Sequence, residues 1–257
     1  MATFSPGIAE RIASAGPWFY EFDLGAYGRT TSILPPEVLP IHQSRWEMVD
    51  RAVTDYFGDR LSQIRCLDVG CHEGFYSVAM ANKGVREVHG LDVREPSVDK
   101  GRLVAEALGL PNVKFDLANC EFMDPATYGT YELCLFLGVL YHLENPMLAL
   151  RNLYRVTGEL CLVETQVTDE VEGYTEWGAR AWTKPYQGIL AVIDESGEFY
   201  NDIREAGATP LVMCPSPVAL TTMLRHAGFR RTEILPPPAG SYEQLARGKR
   251  VVCAAWK

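Results

Sequence analysis

Asp68, Gly70, Cys71, His72 and Gly74 fall in one short stretch, Asp68-Val69-Gly70-Cys71-His72-Glu73-Gly74, at the end of an apolar run. Glycines at a strand-to-helix turn let the backbone come close to a ligand, because no side chain stands in the way. The helix that follows offers free N–H groups to a carboxylate or phosphate. Asp92 closes a second apolar run 22 residues beyond Gly70. A carboxylate there can accept hydrogen bonds from both hydroxyls of a ribose. Turn, helix and spaced acid together point to a nucleotide-like ligand. The dinucleotide fingerprint G-x-G-x-x-G is absent, because His72 stands where its second glycine would be. No nucleoside-triphosphate loop G-x-x-x-x-G-K-[ST] occurs either. Asp68 suits a ligand with an ammonium group better than a pyrophosphate.

These residues need a scaffold, and the chain spells one out. Apolar runs of strand length cover 64–69, 87–93, 112–115, 131–137, 159–164, 230–235 and 249–256. Helical patterns cover 75–83, 96–108, 146–154 and 216–227. Such alternation predicts an α/β fold with a doubly wound, mostly parallel seven-stranded sheet. Residues 1–60 precede the first strand and form an N-terminal arm, with a helix expected over 44–57. Residues 61–257 form the main domain, interrupted after the fifth strand by an insertion over 165–215. The insertion carries Tyr174, Trp177, Trp182, Tyr186, Phe199 and Tyr200, as a substrate lid or as the seam of a subdomain. Trp18-Phe19-Tyr20 poses the same choice, between anchoring the arm in the core and covering the site.

With 257 residues, 47% hydrophobic and 22% charged, the chain has the composition of one large globular domain or two small ones. Its 24 basic and 33 acidic residues give a net charge of −9, which argues against a nucleic-acid partner. No apolar run approaches the roughly 20 residues of a membrane span. Met1 to Glu10 lack the pattern of a secretory leader, so a cytoplasmic location without a membrane partner is expected. Seven cysteines without a C-x-x-C pair predict buried, reduced thiols. No metal is expected, because Leu137-Gly138 offers no acid after the fourth strand. Asp194-Glu195-Ser196-Gly197-Glu198 is expected to be a solvated turn rather than a metal site.

At the glycine turn the sequence resembles the class I S-adenosylmethionine-dependent methyltransferases. The pattern is acid-x-Gly-x-x-x-Gly, then an acid ending the second strand, here Asp68, Gly70, Gly74 and Asp92. The resemblance runs from about residue 60 to the end. Leu137-Gly138-Val139-Leu140-Tyr141-His142-Leu143 resembles the motif after the fourth strand, and 215–229 with Ile234 resembles the last helix and sixth strand. The string from Gly138 to His142, with Ala219-Leu220 and Ala227-Gly228-Phe229, is closest to the transfer-RNA wobble-uridine carboxymethyltransferase group and related small-molecule methyltransferases.

The resemblance implies a Rossmann-like methyltransferase fold and S-adenosylmethionine as cofactor, with carboxy-S-adenosylmethionine as the alternative. It implies that Asp68, Gly70 and Gly74, with Cys71 and His72 between them, shape the methionine end of the cofactor site. Asp92 would take the ribose, with Val93 beside it, and Asn119 and Cys120 would hold the adenine. Leu137 and Gly138 would line the other side, and Tyr141 and His142 would face the methyl group. In the carboxymethyltransferase group the tyrosine at the Tyr141 position touches the extra carboxylate. The family's usual middle glycine is His72 here.

Transfer to a hydroxyl or amine needs a base, and histidine is the usual one. His142 follows the fourth strand, at the edge where ligands bind in such sheets, and is the first choice. His72 and then His42 follow; His89 lies inside a strand and His226 at a helix C-terminus, where structural roles suffice. The expected function is methyl transfer to an oxygen of a small metabolite, with nitrogen as second choice. The alternatives are wobble-uridine modification of RNA and a non-catalytic cofactor-binding partner. A homodimer is left open.

Overall fold

Side chains alternate across a strand, so a strand that is apolar at every position must be covered on both faces. The computed structural model, which describes residues 7–176, 183–196 and 209–257, shows how that cover is provided. The strands are β1 (Arg65–Val69), β2 (Glu87–Asp92), β3 (Val113–Leu117), β4 (Tyr131–Leu137), β5 (Thr157–Gln166), β6 (Leu190–Asp194), β7 (Leu211–Pro215), β8 (Arg231–Leu235) and β9 (Arg250–Trp256). The helices are α1 (Ile8–Ala15), α2 (Pro40–Phe57), α3 (Phe75–Asn82), α4 (Glu95–Leu108), α5 (Pro125–Tyr128), α6 (Pro146–Val156), α7 (Pro217–Ala227) and α8 (Glu243–Ala246).

Seven strands form one sheet in the order β3-β2-β1-β4-β5-β9-β8. β9 runs antiparallel to β5 and β8, and the other pairings are parallel. This is the Rossmann-like methyltransferase fold expected from the sequence. Leu133 and Leu135 of β4 pack on one face with α2, α3 and α4, together with Val49, Val53, Met80 and Val104. Cys134 and Phe136 point to the other face and pack with Leu150, Leu153, Leu220 and Leu224 of α6 and α7. All seven cysteines are free and buried.

The expected insertion contains an antiparallel hairpin of β6 and β7, which pairs as a separate sheet. Trp177, Trp182, Phe199, Tyr200, Gly197 and Glu198 lie outside the described residues. Helix α2 starts at Pro40, four residues before the expected Ser44, because proline fits the first turn of a helix. In the arm, Trp18, Tyr20, Phe22 and Leu24 are buried in the core while Phe19 between them is only half-buried. No helix among the described residues is long and apolar enough to cross a membrane.

Candidate active site

The sheet reverses direction of winding between β1 and β4, and ligands bind at the carboxyl ends of strands beside such a switch. A cavity of about 400 Å³ opens there. Gly70, His72, Asp92, Val93, Asn119, Cys120, Leu137, Gly138, Tyr141 and His142 all line it. Asp68, Cys71 and Gly74, of the same stretch, do not. Asp68 is buried and accepts a 2.6 Å hydrogen bond from Ser77 Oγ in the first turn of α3. Burial pushes that carboxyl up to about 7, against the pull of Ser77.

Two glycines are fixed by close approach. Gly70 has φ +74°, and a Cβ there would run into Val139 Cγ2. Gly74 has φ +84°, and a Cβ would lie 2.5 Å from the Phe115 ring. His72, at the family's glycine position, takes the left-handed conformation itself, with φ 52°. That conformation costs a side chain roughly 1–2 kcal/mol. Its compensation is visible: Nδ1 accepts from Glu73 N–H at 2.9 Å, and the ring lies 4.7 Å from that of Phe19.

Asp92 is engaged by its own chain. Oδ1 accepts from Arg94 N–H (3.0 Å) and Nε (2.9 Å), and Oδ2 accepts from His72 N–H (2.8 Å) and Arg94 Nη2 (3.2 Å). Burial works against its ionised form, but the Arg94 guanidinium holds it below the usual carboxylate range. Asn119 Oδ1 caps the turn after β3 by accepting from Glu121 N–H at 2.9 Å.

The rest of the cavity lining is built from segments far apart in sequence. Phe19 and Tyr20 of the arm, Leu34, and Val38, Ile41, His42 and Arg45 in or before α2 form one wall. Gln166, Glu195, Tyr242, Gln244 and Arg250 form another. Glu73, inside the glycine turn, holds the arm in place: Oε2 accepts from Phe19 N–H (2.9 Å) and Tyr20 N–H (3.1 Å), while Lys100 Nζ donates to Oε1 (2.7 Å).

Beneath this wall lies an ion cluster that sequence reading missed. Glu164, fully buried near the end of β5, meets Arg250 Nε at 2.7 Å and Arg45 Nε at 3.3 Å. Burial opposes the Glu164 charge, and the two arginines overcome it and keep its carboxyl below the ordinary range. Arg250 Nη2 also donates to Tyr141 Oη at 2.8 Å. The readable signal was the charge itself, a glutamate ending the apolar run Leu160-Cys161-Leu162-Val163, which demands a partner.

The histidines divide by environment. His89 bonds Tyr131 Oη and Asp116 Oδ2, each at 2.8 Å, and lies inside the sheet. His226 is exposed at the end of α7. His142 lines the cavity, and its Nδ1 is buried without a hydrogen-bond partner. Burial, then Arg94 and Arg250, push it down to about 4, so it is neutral at physiological pH. His42 lies against the Tyr20 ring at 4.5 Å, with neither ring nitrogen partnered. Burial, then Arg45, His72 and Arg250, push it down to about 3. Asp194 Oδ1 accepts from Ser196 N–H at 2.9 Å, a turn, and no cluster fit for a metal occurs among the described residues.

A methyltransferase domain profile matches residues 61–207. The transfer-RNA U34 carboxymethyltransferase of Marinobacter nauticus is 34% identical over 135 residues, 51% of this chain and 38% of that protein. The enzyme of the same name from Methylococcus capsulatus is 27% identical over 209 residues, 79% of this chain and 55% of that protein. The chain thus matches between 38% and 55% of the length of these two relatives. Among solved structures, the N-terminal domain of EvdMO1, crystallised in the presence of SAH and D-fucose, superimposes with a TM-score of 0.69. It is 20% identical, over 97% of this chain and 95% of that one, and the likeness is one of fold.

Proposed function

This chain belongs to the methyltransferase domain family, and from that premise we propose that it transfers the methyl group of S-adenosylmethionine to an oxygen of a small molecule. One observation carries the reading: a single cavity is lined by Gly70, His72 and Asp92 together with His142, whose Nδ1 has no partner.

The residues present fit the cofactor. Gly70 leaves backbone bare at the cavity wall, and Asp92 offers a carboxylate at the end of β2. Asp92 would hold the ribose hydroxyls, giving up some of its bonds from Arg94 to do so. Val93, Asn119 and Cys120 would hold the base, and Leu137 and Gly138 would close the opposite side. When bound, the cofactor supplies a methyl carbon on a sulfonium, open to in-line displacement.

The protein's own part is alignment, exclusion of water and removal of a proton. Phe19 and Tyr20 cover the cavity from the arm. His142, neutral at physiological pH, accepts the proton of the attacking hydroxyl at Nδ1. Tyr141 Oη accepts from Arg250, which leaves its own proton free to donate to the acceptor. A small oxygen-bearing acceptor is supported by EvdMO1, whose N-terminal domain was crystallised with D-fucose present.

A second reading is carboxymethyl transfer to a transfer-RNA uridine, the activity named for the curated relatives. The observation that favours it is Arg250 on Tyr141, a cation beside the residue expected at the methyl region. The net charge of −9 weighs against RNA. Calorimetric titration with S-adenosylmethionine, SAH and the carboxylated analogue separates the two. Tighter binding of the first two is expected. Preference for the carboxylated analogue, with turnover on an anticodon stem-loop, would install the second reading. No binding of any of the three would overturn both.

A further inference from the structure

Part of the cavity lining has hydrogen-bonding capacity that the protein does not use. Residues lining the cavity carry buried polar atoms without a partner, among them His42 Nδ1 and Nε2, His142 Nδ1, Glu121 Oε1, Glu195 Oε2 and Gln244 Oε1. His42 is only 7% exposed. An unsatisfied buried group costs about 1–3 kcal/mol, so several such groups on residues that line one cavity point to what the cavity is built to hold.

The kinds of atom narrow the ligand. Glu195 Oε2 and Gln244 Oε1 are acceptors only and require donors from the ligand. A neutral His42 presents one N–H and one bare nitrogen, and so requires a group that accepts as well as donates. A hydroxyl does both. An ammonium donates but cannot accept, and it would meet Arg45 and Arg250 in the same wall. A carboxylate or phosphate accepts but cannot satisfy Glu195 or Gln244, and Glu121 and Glu195 both line the cavity. The apolar lining joins the rings of Phe19, Tyr20, Tyr141 and Tyr242 to aliphatic Leu34, Val38 and Ile41, and suits the C–H faces of a ring. The wall is braced as well as shaped: Tyr242 N–H donates to Ser44 Oγ at 2.8 Å, tying the segment before α8 to α2 two residues beyond His42.

We propose that the methyl acceptor is a neutral polyhydroxylated ring, a sugar or a sugar-like polyol, held by Glu195, Gln244 and His42 with one hydroxyl presented to His142. This rests on the proposed methyl transfer and specifies its substrate class.

The test is calorimetry on the whole chain with SAH present, using D-fucose and D-glucose. Cyclohexanol, D-glucosamine and D-glucuronate serve as ring-sized controls with one hydroxyl, a cation and an anion. At least one neutral sugar should bind about tenfold or more tighter than cyclohexanol, the worth of one or two well-made hydrogen bonds. Gln244→Leu and, separately, His42→Phe should each weaken it about fivefold or more while SAH affinity stays within twofold. SAH heat without heat from either sugar would overturn the polyol assignment and leave the cofactor reading standing. So would equal binding of cyclohexanol, or preference for the charged rings. Absence of SAH binding would overturn the methyl-transfer reading itself.

Discussion

Two parts of the cavity lining are built in opposite ways. The cofactor-turn part comes from the loops at the tips of β1, β2 and β4, and the turn's conformation is set by backbone: Gly70, Gly74 and His72 all have positive φ. The other part is assembled from the arm, α2, β5, the β6–β7 pair and the α8–β9 segment, and it is set by buried charge and side-chain packing. The first part is a general device, since the same turn serves any acceptor. The second is where one member of a fold family differs from another, because function resides in the site rather than the fold.

The comparison breaks most visibly at the ion cluster. Glu164→Gln leaves Arg45 and Arg250 buried against a neutral amide, and removing one member of a buried pair costs about 3–5 kcal/mol. Denaturant unfolding should show that loss. A loss below about 1 kcal/mol would mean that the arginines do not depend on Glu164. His142→Ala comes next. Turnover should fall about a hundredfold or more while SAH affinity stays within twofold. Full activity would remove His142 as the base and move the role to another wall residue. Asp92→Ala should act only in the cofactor-turn part, weakening SAH binding about tenfold or more. Unchanged affinity would show that the Arg94 clamp, and not a ribose, is the purpose of that carboxylate.

The same division explains what could be read from sequence. The strands of the large sheet were legible because each carries its own apolar run, and the glycine turn because it is local. His72 also has a local explanation, since histidine is among the residues that tolerate the left-handed region better than most. The Arg94 clamp stands only two residues from Asp92 and is local in the same way. The other part of the lining was not legible. Arg250 reaches Glu164 only because β9 returns antiparallel beside β5, a pairing that neither run announces. Arg45 reaches the same glutamate from α2, on the other side of the chain's first strand. Glu195 was expected in a solvated turn. Asp194 and Ser196 do make a turn, but the carboxyl between them lines the cavity, where burial raises its pKa.

The smallest expected effect sharpens the comparison without any ligand. His42 is held neutral in the folded chain, pushed down to about 3, below the 6.5 of an unperturbed histidine. Between those values the unfolded chain binds the proton and the folded chain does not. Stability from this residue is therefore complete above about pH 6.5 and declines as pH falls, until the folded form also protonates near 3. Asp68 titrates in the opposite sense, because its folded carboxyl is raised to about 7, so the pH profile of the wild-type chain alone mixes the two. The difference between wild type and His42→Gln isolates the histidine. It should shift in favour of the variant by about 1 kcal/mol between pH 6 and pH 5, on top of any constant packing loss. Urea unfolding of both proteins at the two values measures it. A flat difference would mean that His42 is solvated and free to protonate. It would then fail as the neutral donor and acceptor in the wall, while the cofactor-turn part, which does not use it, would stand unchanged.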